Sequence, residues 1–181
     1  MAKHLMVDLE TLATSPDAVI LTIGAVLFDP YSTRLYDKFY VRVDVDSCDK
    51  LGMRVDESTI EWWGKQSKEA QDEAFSEENR LPVEEAIEKF HKFAWNSEAY
   101  WSHGSIFDIN ILETYYRKLN KATPWQFWQI RDSRTLFQVH GDPRAAERKG
   151  AHKALIDCYY QARGVQDIFK KVGIKPKEFA K

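Results

Sequence analysis

The run AVILTIGAVLF, residues 18–28, constrains the fold more than any other stretch of this chain. It is rich in β-branched and aliphatic side chains and is stopped by Asp29-Pro30, the pattern of a strand closed by a turn. A shorter apolar run over residues 4–9 opens the chain as a buried strand. Residues 35–43 alternate Leu, Lys, Tyr and Arg with aromatic and aliphatic residues, and read as a third strand paired to the second. Three strands joined by short turn signals predict an antiparallel meander.

Helical patterns take over from there. Short charged helices are expected over residues 57–66 and 68–75, the first carrying Trp62 and Trp63. A helix opening at Leu81-Pro82 repeats Val83, Ile87, Phe90 and Ala94 at three- and four-residue spacing. A short strand over 99–102 precedes helices over 107–119, over 135–140 and from about 152 to 171. Strands first and helices interleaved afterwards predict an α/β fold, a central mixed sheet of about five strands flanked by helices on both sides.

Composition narrows the setting. At 181 residues the chain is expected to form a single domain, 1–181, with a substantial core. With 44% hydrophobic and 13% aromatic residues it is neither disordered nor fibrous. No apolar run approaches the roughly 18–20 residues that cross a bilayer, and the start MAKHLMVDLE places charge inside any would-be export signal. Cys48 and Cys158 suggest neither a disulfide framework nor a zinc site. A cytoplasmic protein with no membrane partner is the expectation. The net charge of −2 is unevenly spread: residues 56–98 carry −7, and residues 117–181 carry +9. That positive third is either a face for an anionic partner or a set of solvated helix surfaces.

The chemistry-bearing residues are acidic. Asp8 and Glu10, at the end of the first strand, point to one side of it while Leu9 points to the other. Two adjacent carboxylates repel and resist desolvation unless a cation lies between them, and oxygen ligands suit Mg²⁺ or Mn²⁺. A D-x-E pair serves equally as a solvated strand end. Asp108 follows a Gly turn into a helix, where capping explains it as well as chemistry does. Asp157 sits among Ala154, Leu155, Ile156 and Cys158, an apolar setting in which Asp is rarely buried without a partner. His152 falls at or just before the same helix's first turn, so both reach a common site at the helix start.

In combination, VDLETL (7–12), WSHGSIFDINIL (101–112) and GAHKALIDC (150–158) resemble the DEDDh 3′→5′ exonucleases. This is the RNase H-like family of the proofreading exonuclease subunit, RNase T and oligoribonuclease. TIEWWGKQ (59–66) and RDSRTLF (131–137) look most like its phage and bacterial exonuclease A and RNase AS-like branch. The resemblance implies an RNase H-like fold. It also implies two divalent ions, Mg²⁺ or Mn²⁺, held by Asp8, Glu10, Asp108 and Asp157, with His152 as the general base. Two such ions bridge the attacking and leaving oxygens of a phosphodiester, and a histidine accepts the water's proton near neutral pH.

The activity so implied removes nucleotides from the 3′ end of a single-stranded nucleic acid, releasing nucleoside 5′-monophosphates. DNA is slightly favoured over RNA. The setting is a bacterial or phage-infected host cell. Candidate substrate contacts are Trp63 as a base-stacking surface, Gln66 on the same helix face, and Arg134 on a phosphate. Thr11 and Phe107 lie in the matching segments and join them. Trp62 and Trp63 point about 100° apart on a helix, so one can pack inside while the other faces a groove. Arg148, Lys149 and Lys153 flank His152 closely enough to meet a phosphate. His103 stands where the branch resemblance implies Asn. Relatives of this kind are often dimers, and the six Trp and eight Tyr would suit an aromatic homodimer interface or a core equally. A catalytically idle nucleic-acid-binding module on the same fold is the rival, and the five intact positions argue against it. A zinc hydrolase lacks the His or Cys ligand pairs it would need.

Overall fold

In a computed structural model, which describes residues 2–146 and 152–176, the meander forms as expected. Strands β1 (His4–Thr11), β2 (Ile20–Phe28) and β3 (Leu35–Val43) pair antiparallel in sequence order. Every residue of β2 is buried, as a strand between two helical layers must be. It starts at Ile20 because Ala18 is drawn into a parallel bridge with Arg54. In the next register Asp8 faces Gly24 and Glu10 faces Thr22, with an irregularity between Glu10 and Thr11. Strand β5 (Ala99–Ser102) adds parallel to β1.

The sheet has six strands, one more than expected. β4 (Arg80–Leu81) runs parallel to β3 and β6 (Ile130–Asp132) parallel to β5, giving the order β4-β3-β2-β1-β5-β6. Strands of two and three residues carry no readable alternation. The residues expected to open a helix at Leu81 instead close β4, and helix α4 (Val83–Ala94) begins after Pro82.

Helix α1 (Val45–Lys50) went unpredicted, being a single capped turn and a half. Helix α2 (Glu57–Trp63) ends at Gly64 rather than reaching residue 66. Helix α3 (Lys68–Phe75) keeps its predicted bounds, with the Ser67 hydroxyl accepting from the Ala70 N–H. Helices α5 (Ser105–Lys118), α6 (Ser133–His140) and α7 (Ala154–Val172) complete the set. Asp132 ties two of them together: one oxygen accepts from the Ser105 N–H and the other from Arg134 and Thr135. Among the described residues no helix is long and apolar enough to cross a membrane.

The pleat of β1 sorts the core. Leu5, Val7 and Leu9 enter the larger cluster with Ile87 and Phe90 of α4 and Leu112 and Tyr115 of α5. Met6 enters the smaller one with Cys158, Ala162 and Val165 of α7. By the same period of two, Asp8 and Glu10 lie on the face that α7 covers.

Contact between β2 and α7 is set at Gly24. A Cβ there would fall 2.5 Å from the Ala154 carbonyl carbon and 2.5 Å from the Leu155 nitrogen. Both are backbone atoms that cannot rotate away. The Cys158 thiol donates to the Gly24 carbonyl at 3.2 Å, fixing the same approach one turn on. Gly24→Ala is therefore expected to cost about 1–3 kcal/mol by forcing the helix off the sheet, read as a fall of several degrees in melting temperature. An unchanged Tm would show that the approach is not tight.

Candidate active site

Three elements deliver four acids to one place. Asp8 and Glu10 come from the end of β1, Asp108 from the first turn of α5, and Asp157 from the first turn of α7. Glu10, Asp108 and Asp157 are buried, and Asp8 is partly so. Ligand oxygens of Asp8, Glu10 and Asp157 lie within 4.8 Å of one another. Asp108 adjoins them from α5, its Oδ1 accepting the Leu9 N–H at 3.0 Å. It therefore braces the strand that carries Asp8 and Glu10. Asp157 Oδ2 accepts the His152 N–H at 2.8 Å and the Lys153 N–H at 3.3 Å, capping α7 while it faces the cluster.

Gln161 was not foreseen. One turn beyond Asp157 on the same face of α7, it is 2% exposed. Its amide N–H donates to Asp8 Oδ1 at 2.9 Å, and its Oε1 has no hydrogen-bond partner among the described residues. The i, i+4 spacing from Asp157 was the available signal. Gly24 was missed as well, because nothing in the sequence shows what packs on a strand.

Burial and crowding dominate the electrostatics. Asp8 is pushed well above the usual carboxylate range by burial and then by the charges of Asp108, Glu10 and Asp157, against the opposing Gln161 bond. Burial pushes Asp108 up to about 7 despite the Leu9 N–H. Carboxylates pushed toward protonation in this way are under-compensated, and a divalent cation among oxygen ligands supplies the missing charge. Among the described residues the metal-competent cluster of Asp8, Glu10 and Asp157 offers carboxylate oxygens only.

The acids open into a cavity of about 440 Å³, also lined by His152, Trp62, Phe107, Arg134 and Arg144. His152 lies just before α7 with φ of 64°, and its ring meets the Trp62 ring edge-on at 4.8 Å. The tryptophan pair divides as expected, but the roles are exchanged. Trp63 is 2% exposed and its indole N–H donates to the Thr11 carbonyl at 2.9 Å, so it supports β1 from beneath. Trp62 is 41% exposed and holds the open face. Gln66 lies beyond the end of α2; its amide folds back onto the Trp62 carbonyl and it is not part of the cavity. Thr11 lines the cavity while its hydroxyl donates to the Ala13 carbonyl. Arg134 lines the cavity and donates to the His103 carbonyl. Lys153 is the N-cap residue of α7 and not a cavity residue; Arg148 and Lys149 lie outside the described residues. Arg144, a buried cavity residue, had no signal in the sequence.

Residues 3–169 match the pattern of the 3′-5′ exoribonuclease Rv2179c-like domain family. The chain belongs to this family. An exodeoxyribonuclease of Enterobacteria phage T4 is 28% identical over 160 residues, covering 74% of this chain and 70% of that protein. The chain is similar in structure to E. coli exonuclease I in complex with a dT13 oligonucleotide, with TM-score 0.69 and 11% identity. That match covers 96% of this chain but only 42% of exonuclease I, so the chain spans about two fifths of that protein's length. It is also similar to the nuclease domain of 3′hExo, a DEDDh family member, bound to rAMP. There the TM-score is 0.60 and identity 13%, over 93% of this chain and 92% of that domain. The likeness in structure establishes the RNase H-like fold, and the family match a 3′-5′ exonuclease domain.

The raised acids have a consequence for stability. Folded Asp8 and Asp108 keep protons that the unfolded chain has released above about pH 4. Stability without divalent cations should therefore fall as pH rises through about 7. His4 and His103, held down to about 4 by burial, act in the opposite direction, but only below their ordinary 6.5. Melting in EDTA should thus drop from about pH 6.5, where the histidines cease to oppose it, to about 7.5, just past the folded Asp108 value, and then level off. Mg²⁺ or Mn²⁺ should restore it, and Asp8→Asn should raise the EDTA value. A flat profile together with no gain in Asp8→Asn would contradict a crowded cluster.

Proposed function

We propose that this chain is a metal-dependent exonuclease that shortens single-stranded nucleic acid from its 3′ end and releases nucleoside 5′-monophosphates. The observation that carries this reading is the convergence of Asp8, Glu10, Asp108 and Asp157 on a cavity that His152 also lines. The donor set fits divalent metal: it is all oxygen, close together, and raised toward protonation in the absence of a cation. Asp8, Glu10, Asp108 and Asp157 would hold two Mg²⁺ or Mn²⁺ ions. Bound ions supply Lewis-acid stabilisation of the phosphate and of the leaving 3′ oxygen, and ease deprotonation of water.

The chain's own residues do the rest. His152 takes the proton from the attacking water; its placement before α7, with the backbone N–H on Asp157 and the ring against Trp62, fixes where the imidazole sits. Trp62 offers its open face to a terminal base, a contact worth roughly 1–3 kcal/mol. Phe107 forms an apolar wall, and Arg134 offers a charge to a backbone phosphate. Gln161 holds one oxygen of Asp8, leaving the other for the cation.

DNA is the favoured substrate, supported by the phage relative's name and by the oligodeoxynucleotide complex of exonuclease I. An exoribonuclease with the same chemistry is the second reading, supported by the family's description and by the rAMP complex of 3′hExo. The enzyme works in the cytoplasm of a bacterial or phage-infected cell. A homodimer would leave the chemistry unchanged.

The test is a nuclease assay on 5′-labelled single-stranded DNA and RNA, with Mg²⁺ or with EDTA. Stepwise shortening from the 3′ end, abolished by EDTA, is expected, and the ratio of rates assigns the sugar. Asp8→Ala should lose activity while remaining folded; normal turnover by that variant would exclude the site. His152→Ala should lower kcat by about 10²–10⁴-fold with little change in metal affinity. Full rescue of that variant by saturating Mn²⁺ would instead make His152 an organiser of the metals.

A further inference from the structure

Arg144 is the one strongly buried cation of the cavity wall among the described residues. Its side chain is 6% exposed, although it lies on the segment between α6 and α7. A buried guanidinium is costly unless its donors are met. Here Nε donates to Asp142 Oδ1 at 2.9 Å and Nη2 to Asp142 Oδ2 at 2.7 Å, while Nη2 also lies 3.0 Å from His103 Nε2. The guanidinium stacks over Phe137 at 5.0 Å. Nη1 has no partner among the described residues.

The tautomer of His103 follows from its other neighbours. The Ser133 hydroxyl donates its hydrogen to the Ser102 carbonyl at 3.0 Å, so it can only accept from His103 Nδ1 at 3.1 Å. Nδ1 therefore carries the proton, and Nε2 presents a lone pair to Arg144. Burial and the two neighbouring arginines hold His103 neutral, its pKa pushed down to about 4. The backbone carbonyl of the same residue accepts from Arg134 Nη2 at 2.8 Å. One neutral histidine thus pins two arginines, one by its ring and one by its carbonyl, and both line the cavity that holds the acids.

We propose that His103 is a positioning residue for a two-arginine clamp, in which Arg144 binds a backbone phosphate of the nucleic acid in the cavity and Arg134 supports it. The inference rests on the exonuclease reading and adds the anion-binding half of that site. Four carboxylates repel an incoming phosphodiester, and a fixed guanidinium with a donor to spare gives it a favourable place to stop. With Nε and Nη2 already engaged, Nη1 is the donor left for a phosphate oxygen, held in a fixed plane that a mobile lysine ammonium lacks. Asp142 neutralises the arginine in the empty protein; it is 40% exposed, so water screens it and a phosphate can compete.

The experiment uses the intact chain with Arg144→Gln, Arg144→Lys and His103→Phe. Steady-state kinetics are measured on a single-stranded oligonucleotide with Mg²⁺. Binding of the same oligonucleotide in EDTA is measured across a salt series, with melting as the fold control. Arg144→Gln should raise KM roughly tenfold or more, keep kcat within about threefold, and flatten the salt slope by about 0.7. Arg144→Lys should restore the slope but only part of the KM. His103→Phe, which keeps the ring packing and removes the acceptor, should raise KM with the slope unchanged. Wild-type KM and slope in folded Arg144→Gln would overturn the proposal. A fall in Tm and kcat with KM unchanged would also overturn it, since that marks a structural arginine. If the wild type fails to shorten oligonucleotides, the exonuclease reading fails, and the EDTA binding series still decides whether Arg144 holds phosphate.

Discussion

Helix α7 can lie against the sheet only because Gly24 has no side chain, and the site depends on that contact. Gly24 is the cross-strand partner of Asp8, so the point where helix backbone touches strand backbone is also the point where Asp157 and Gln161 come level with Asp8 and Glu10. Moving α7 outward by the width of a methyl group would carry Asp157 away from its partners and break the Gln161–Asp8 bond. Asp108 arrives independently, through α5 and the Leu9 N–H. Packing on one side and a backbone hydrogen bond on the other thus set the spacing of the acids.

That spacing is electrostatically unfavourable. The N-termini of α5 and α7 both face the cluster, yet a helix terminus stabilises an anion by only about 0.3–1 kcal/mol at the surface and up to about 2 where partly buried. Burial and mutual repulsion outweigh this, as the raised Asp8 and Asp108 show. The protein supplies ordered oxygens and leaves a deficit of positive charge, which is the condition for binding divalent cations. The cavity's own cations, Arg134 and Arg144, are tied to His103 and Asp142 and do not form ion pairs with the acids, so they do not fill that deficit.

Much of this was legible in the sequence, for physical reasons. Period-two geometry put Asp8 and Glu10 on one face, and an aspartate inside the apolar run of α7 pointed to a partnered carboxylate. The meander was clear because its strands are long and buried. What escaped was tertiary. β4 and β6 exist through their neighbours' hydrogen bonds and not through any pattern of their own. Adjacent tryptophans on a helix must face apart, but which of them is inside depends on where Thr11 presents its carbonyl. Arg144 looked like any loop arginine, because its burial comes from Asp142, His103 and Phe137 meeting in space. The positive C-terminal third does reach the site, though of its residues the described structure brings Arg134 and Arg144 to the cavity, and not Lys153.

The most direct measurement is a crystal structure of the chain grown with Mn²⁺ and a nucleoside 5′-monophosphate, the metal located by its anomalous signal. The expected result is Mn²⁺ on the oxygens of Asp8, Glu10 and Asp157, with the 5′-phosphate between that site and the His152 side of the cavity and the base against Trp62. Mn²⁺ bound elsewhere while the cluster stays empty, or a monophosphate seated outside the cavity, would contradict a metal-dependent 3′-end nuclease built on these four acids.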